Sequence, residues 1–260
     1  FILLFFLAQG LYFRVVLSMT SSAGKEKKLS LAAQDKMLKK KKSPRKALLQ
    51  WEFRLLFRTS AYFMNVVLAC IFSPLWMLFI FSFPFLQNWD QIQNQGFEWA
   101  ELGTLAREFI QDQGDPLLLG ILIGAGIGTI ALMGSAPSSA VSRDAQQIES
   151  FKSFPLSTKD LYLAQFIPSY LVSVLPITGI SLILLGLIAF WPIFSLPFLL
   201  SFFLTSLAIG LLEFCFDVHG PNLDWTEEIM AVKRNKNSMV SVGLISVLVI
   251  VFILVYFSGW

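Results

Sequence analysis

The residues that could do chemistry in this chain are few, and their spacing excludes more than it permits. Glu227 and Glu228 are adjacent carboxylates, the kind of pair an intramembrane protease uses, but Val232 stands four residues on where such a site needs Arg. The chain has one histidine, His219, so no His-Glu-x-x-His metal site can form. Its two cysteines, Cys70 and Cys215, lie in apolar runs, which indicates neither a disulfide framework nor a zinc site. Gly124-Ala125-Gly126 has the look of a dinucleotide fingerprint, but no strand precedes it. The acids Asp90, Glu98, Glu101, Glu108, Asp112 and Asp115 lack the spacing of a calcium loop. No Gly-x-x-x-x-Gly-Lys-Ser/Thr loop is present to cradle a nucleotide phosphate. The expectation is therefore no catalytic, cofactor-binding or metal-binding residue, and no enzyme.

What positions the remaining polar residues is a membrane. Of 260 residues 55% are hydrophobic, only 14% are charged and 26 are Phe, more apolar surface than a soluble domain of this size would expose. Six apolar runs approach the roughly 20 helical residues that a bilayer core demands. The fold class read from this is all-α, a polytopic transmembrane bundle in the cell (plasma) membrane. Residues 1–16 form a span, read as the end of an upstream half of a larger chain, and 17–43 form a basic linker. Residues 44–260 form a transmembrane domain with five spans, at about 62–86, 116–133, 161–190, 195–216 and 239–260. Twelve Lys or Arg fall between Lys25 and Arg58, which places that segment in the cytosol. The acidic loop 87–115 then lies outside, and loops 134–160 and 217–238 return to the cytosol. The basic run is a topology signal and an anionic-lipid contact; nucleic acid is not expected as a partner.

Several local patterns refine this. Lys46, Gln50, Arg54 and Arg58 recur every four residues, giving an amphipathic helix that lies on the inner leaflet before the chain turns in. Glu52 sits opposite that ladder, where a buried partner or snorkelling to the headgroups would accommodate it. Gly120, Gly124 and Gly128 make a smooth groove for another helix. The 30 residues from Leu161 to Phe190 contain Pro168 and Pro176 and are counted once, as a long kinked helix. Glu213 is either an embedded functional carboxylate or a boundary residue that snorkels. In the first cytosolic loop Val141, Ala145, Ile148 and Phe151 mark one face of a helix of about three turns. In the second, Asp224 or Thr226 caps a helix from about Trp225 to Lys233, with Glu227 and Glu228 in its first turn.

The second of these loops, Pro221-Asn-Leu-Asp-Trp-Thr-Glu-Glu-Ile-Met-Ala-Val-Lys233, resembles the cytosolic loop of bacterial ATP-binding-cassette exporter permeases, with Pro221, Leu223, Trp225, Glu228, Ala231, Val232 and Lys233 on the family's string. The first is similar to another cytosolic loop of that family through Ser142, Asp144, Phe154, Pro155, Leu156, Ser157 and Lys159. The resemblance implies that both loops are coupling helices contacting ABC ATPase subunits, with Asp144, Ile148, Glu149, Phe151, Lys152, Trp225, Glu227 and Glu228 as contact residues. It also implies that ATP and Mg are bound by the partner ATPase and none by this chain. The other expected partners are membrane lipids and a second permease half or a homodimer partner. A secondary transporter, or a non-transporting scaffold or immunity protein, would share the bundle. The nearly charge-free span centres count against a secondary carrier.

Overall fold

The computed structural model describes residues 43–72, 102–134, 136–147, 151, 156–187, 191–233 and 235–257. Every regular element among them is helical. The first, α1 (Pro44–Arg58), begins with proline in its first turn, where the missing N–H needs no partner. Its buried stripe is Leu48, Glu52 and Leu56, four residues apart. Lys46, Arg54 and Arg58 are exposed and Gln50 is half-buried. After Thr59 the chain bends by 74° into α2 (Ser60–Phe72), so α1 runs across the direction of α2. A π-turn at Phe63–Val67 occupies the first half of α2 and turns Val66 and Val67 into the core.

Next comes α3 (Leu102–Gln113), followed by Gly114 with φ 137°, a backbone that side chains disfavour. That turn sets Asp115 to accept the Leu117 N–H at 3.0 Å, capping α4 (Pro116–Ile130). Two long apolar helices follow, α5 (Thr158–Leu187) and α6 (Pro192–His219). At 30 and 28 residues each is roughly 40 Å long at 1.5 Å per residue, enough to cross a bilayer core of about 30 Å with tilt. α5 continues through Pro168 and Pro176 as one helix. A short α7 (Glu228–Val232) precedes α8 (Lys236–Phe257), which is again apolar. Residues 1–42 and 73–101, and with them the expected first span, the basic linker and most of the acidic loop, lie outside the described residues.

The tightest helix pair is α4 on α6, and glycine is why. Gly120, Gly124 and Gly128 sit in register with Phe194, Phe198 and Phe202, whose backbone carbonyls press onto the bare α-carbons. A Cβ built at Gly120 would lie 2.5 Å from the Phe194 carbonyl oxygen, and one at Gly128 2.6 Å from that of Phe202. At Gly124 the clash with the Phe198 carbonyl is worse still. With no hydrophobic drive between helices in lipid, such backbone approach supplies the van der Waals contact and the Cα–H···O contacts that hold the pair. Both series ascend together, so α4 and α6 run parallel. The Phe rings between them stack along α6, Phe194 on Phe198 at 6.0 Å and Phe198 on Phe202 at 6.4 Å. The far side of α6 presents Leu196, Leu200 and Leu204 outward.

Helix α8 meets α6 through a buried polar contact: the Ser241 hydroxyl donates to Glu213, which is fully buried. Glu213 therefore does not snorkel. Its place near the end of an apolar run suggests a route to the headgroups, but the side chain turns inward to Ser241.

The glycine register makes a direct prediction. Gly124→Ala must push α6 away or strain its backbone, a cost of about 1–3 kcal/mol for overpacking. Gly126, two residues on, has nothing within 4 Å of the point where an added methyl would stand, so Gly126→Ala should be neutral to mildly stabilising. Thermal unfolding of the two variants in detergent checks this; equal midpoints would remove the glycine seam as the basis of the α4–α6 pairing.

Candidate functional site

Where α6 ends, its last inward-facing residue is Asp217, a carboxylate near a helix C-terminus, where the macrodipole disfavours it. It is fully buried, so it must be satisfied by donors from elsewhere. The first polar loop brings them. Asp217 Oδ2 accepts the N–H groups of Val141 at 2.7 Å and Ser142 at 3.0 Å. The Ser142 hydroxyl and the Asn237 amide, the latter at 3.1 Å, donate to Oδ1. In effect Asp217 caps the turn that starts at Ser142 from another part of the chain, supplying the negative charge that a helix N-terminus attracts.

Ser142 is used completely. Its hydroxyl gives its one proton to Asp217 and accepts from the Asn222 N–H at 2.9 Å and Asn235 Nδ2 at 3.0 Å. Its carbonyl accepts the Trp225 indole N–H at 2.6 Å. One serine thus ties the first loop to three points of the second. Asn235 also reaches the Ala231 carbonyl at 3.2 Å, closing α7, while its own carbonyl oxygen accepts the Asn237 N–H at 3.0 Å at the start of α8.

Arg143, only 3% exposed, points the other way. Its guanidinium donates to the Ala136 carbonyl at 3.0 Å, Ser139 Oγ at 3.3 Å and Ser169 Oγ on α5 at 2.6 Å. The Tyr62 hydroxyl of α2 donates to the Arg143 carbonyl at 3.3 Å, and the guanidinium lies 6.0 Å from the centre of the Tyr62 ring. Asp144 accepts from Gln165 Nε2 of α5 at 2.6 Å, and its carboxyl interacts electrostatically with that of Glu52 on α1. Burial, then the neighbouring Asp144 charge, holds the Glu52 carboxyl well above the ordinary glutamate range. Burial likewise raises Asp144, against the lowering effect of its contacts with Glu52 and Gln165.

The apolar half of the junction is the cluster of Leu56, Tyr62, Val66, Val67, Ala136, Val172, Trp225, Ala231 and Val232. Through it α7 and Trp225 rest on the α1–α2 corner. The junction therefore touches the end of α1, the first half of α2, α5 from Gln165 to Val172, the end of α6 and the start of α8.

Against the sequence reading, Asp144 and Trp225 are brought together, but inside the fold, at 1% and 7% exposure. Phe151 is also buried, against Leu48 and Ala164. Glu227 and Glu228 are exposed at the start of α7. Ile148, Glu149 and Lys152 lie outside the described residues. Several local expectations change. Of the helix expected in the first loop, residues 142–147 form a 3-10 turn and Phe151 is helical, while 148–150 and 152–155 lie outside the described residues. α7 starts at Glu228 and not Trp225, because residues 221–225 are held extended by the Asn222 and Trp225 bonds to Ser142. Neither Asp224 nor Thr226 caps it; Glu227 is the capping residue and makes no side-chain cap bond. Glu52 does not snorkel, since its partner is Asp144. Sequence reasoning does not single out Asp217, Ser142, Arg143, Asn235 or Gln165 as a set. A signal for the first is present: an acid at the end of an apolar run, followed by a loop rich in Asn.

The sequence model of the ABC-2 type transporter family matches residues 45–232. No curated protein and no solved structure matches the chain.

The junction predicts its own weak point. Asp217→Asn keeps size but puts an amide against donors from Val141, Ser142 and Asn237. Losing two charge-assisted bonds should cost roughly 3 kcal/mol, read as a lowered unfolding midpoint of the full chain in detergent. A midpoint equal to that of the unsubstituted protein would mean that the Asp217 charge does not organise the loops.

Proposed function

Because the chain belongs to the ABC-2 type transporter family and is thus the membrane-spanning permease component of an ABC transporter, we propose that it acts as an exporter subunit in the plasma membrane. In this reading it crosses the membrane several times, pairs with a second permease half or a second copy, and takes its energy from separate ATPase subunits that bind ATP and Mg. The absence of any phosphate-binding loop in the sequence supports that division of labour. The bacterial loop resemblance of Pro221–Lys233 supports the direction of transport.

The observation that carries the proposal is the lock between the two polar loops. A permease driven by another protein needs a rigid receiver on the energised side, joined to several spans at once. Ser142, Asp217, Trp225 and Asn235 make the loops one body, and that body touches α2, α5, α6 and α8. A push on α7 then reaches all four helices without first deforming a loop.

The contact set proposed for the ATPase divides by exposure. Glu227 and Glu228, exposed on α7, would meet the partner directly, with Ile148, Glu149 and Lys152 of the first loop as the further candidates. Asp144, Phe151 and Trp225, being buried, would act by holding those residues in place. α1, with Lys46, Arg54 and Arg58 exposed beside Trp51 and Phe57, would lie against the headgroups of the cytosolic leaflet.

The test separates receiver from bystander. Reversing both exposed acids, Glu227→Lys with Glu228→Lys, should weaken ATPase capture by the complete permease about tenfold, equivalent to about 1.4 kcal/mol. Lys46→Glu on α1 should leave capture unchanged, and both variants should insert and fold. Unaltered ATPase copurification and stimulated hydrolysis in the double-reversal variant would contradict the assignment of α7 as the docking element.

A further inference from the structure

Beside the Ser142–Asp217 lock lies a second buried cluster, of which the transport reading uses only Asp144, as a support for the first loop. Glu52 of α1 and Asp144 of the first loop are 0% and 1% exposed. Both oxygens of Glu52 and Oδ1 of Asp144 have no donor from any other side chain or backbone group. Asp144 Oδ2 is taken by Gln165 Nε2. Two interacting carboxyl groups, both closed off from the surface and with three orphaned oxygens, cannot both stay ionised without a large cost.

We propose that Glu52 and Asp144 share one proton and together form a buried proton-binding site that fastens α1 to the first polar loop. The proton resides on Glu52, whose O–H donates to Asp144 Oδ1. Asp144 is the partner that keeps its charge, because it already accepts from Gln165 and is intrinsically the stronger acid. The adjacent Arg143 then offsets the one charge left on the pair, while the Asp217 charge is met by its own donors. The charged and titratable groups around it are Arg143 and Asp144 from the loop, Tyr62 from α2, and Asp217 from α6, which acts on Asp144. Gln165 and Ser169 are the polar groups that α5 supplies.

No contact to a partner protein enters this inference, so it stands or falls apart from the exporter reading. Its consequence is mechanical. The hydrogen bond sits at the centre of the inner stripe of α1, between Leu48 and Leu56. When the proton leaves to solvent, two buried negative charges face each other across the α1–loop contact and push it open. The sign follows from the direction of the Glu52 shift: the stabilisation is complete at low pH and is lost as pH rises through the raised value, above the ordinary glutamate range.

Infrared spectroscopy of the full chain in lipid nanodiscs tests this directly, because a protonated carboxyl has a carbonyl band that a carboxylate lacks. Two variants are compared with the unsubstituted protein. Glu52→Gln replaces the shared proton by a permanent amide donor to Asp144. Asp144→Asn keeps the bond from Gln165 and offers its own amide to Glu52, which then ionises. The expected result is that one protonated-carboxyl component is lost in both variants, while any contribution from Glu213 remains as a constant background. The thermal midpoint should fall with rising pH in the unsubstituted chain, and fall less steeply through the same range in Glu52→Gln. If Glu52→Gln does not fold, Asp144→Asn carries the spectroscopic test alone. An unchanged carbonyl band in the variants that fold, or the same pH profile with and without Glu52, would overturn the proposal.

Discussion

A helix that ends on a buried carboxylate has to be met by donors, and that requirement organises one side of this protein. Asp217 stands near the C-terminus of α6, where the helix dipole already disfavours negative charge. The remedy is the N-terminus of another element, the turn beginning at Ser142, whose N–H groups point at the carboxylate. Once those two ends are joined, the rest of the local structure has little freedom. Ser142 must then use its hydroxyl and carbonyl on the second loop, which fixes Asn222, Trp225 and Asn235. Trp225 in turn covers the corner of α1 and α2.

The lock is useful only if the helices it joins are themselves held at a fixed distance. The glycine seam between α4 and α6 does this by backbone contact, which has no rotamers to absorb displacement. α6 is thus constrained along its length by α4 and at its end by the first loop. α5 joins through Ser169 and Gln165, and α8 through Asn237 and the Ser241–Glu213 bond. A disturbance applied to α7 enters a body with few soft joints, which is the physical content of the proposal that the loops couple the spans to an ATPase.

How much of this is legible in the sequence depends on the kind of interaction. The helices announce themselves because apolar length is a property of a continuous stretch. The Gly120–Gly124–Gly128 groove is readable because its period of four belongs to one helix, though its partner, the Phe194–Phe198–Phe202 ridge, is not. The Lys46–Gln50–Arg54–Arg58 ladder is readable for the same reason. The junction is not, because Ser142, Asp217, Trp225 and Asn235 come from separate stretches whose meeting is set by packing. Each looks locally like something else: Asp217 like a boundary acid, Trp225 like an interfacial anchor, Glu52 like a snorkelling side chain. The helix of the second loop is shorter than expected because propensity favours regular turns from Trp225 on, while the bonds of Asn222 and Trp225 to Ser142 hold the chain out of the helix there.

Loops locked through Ser142 into one body open and close together, and hydrogen exchange reads that property directly. Trp225→Phe keeps a six-membered aromatic ring but removes the indole N–H given to Ser142 together with the pyrrole ring that carries it, so the lost hydrogen bond, about 1 kcal/mol, is the least change expected. Exchange in the full chain in nanodiscs should then rise roughly fivefold or more in residues 136–147 and in residues 221–233 together, since both are released by the same opening. Faster exchange confined to 221–233, with 136–147 unchanged, would contradict the account.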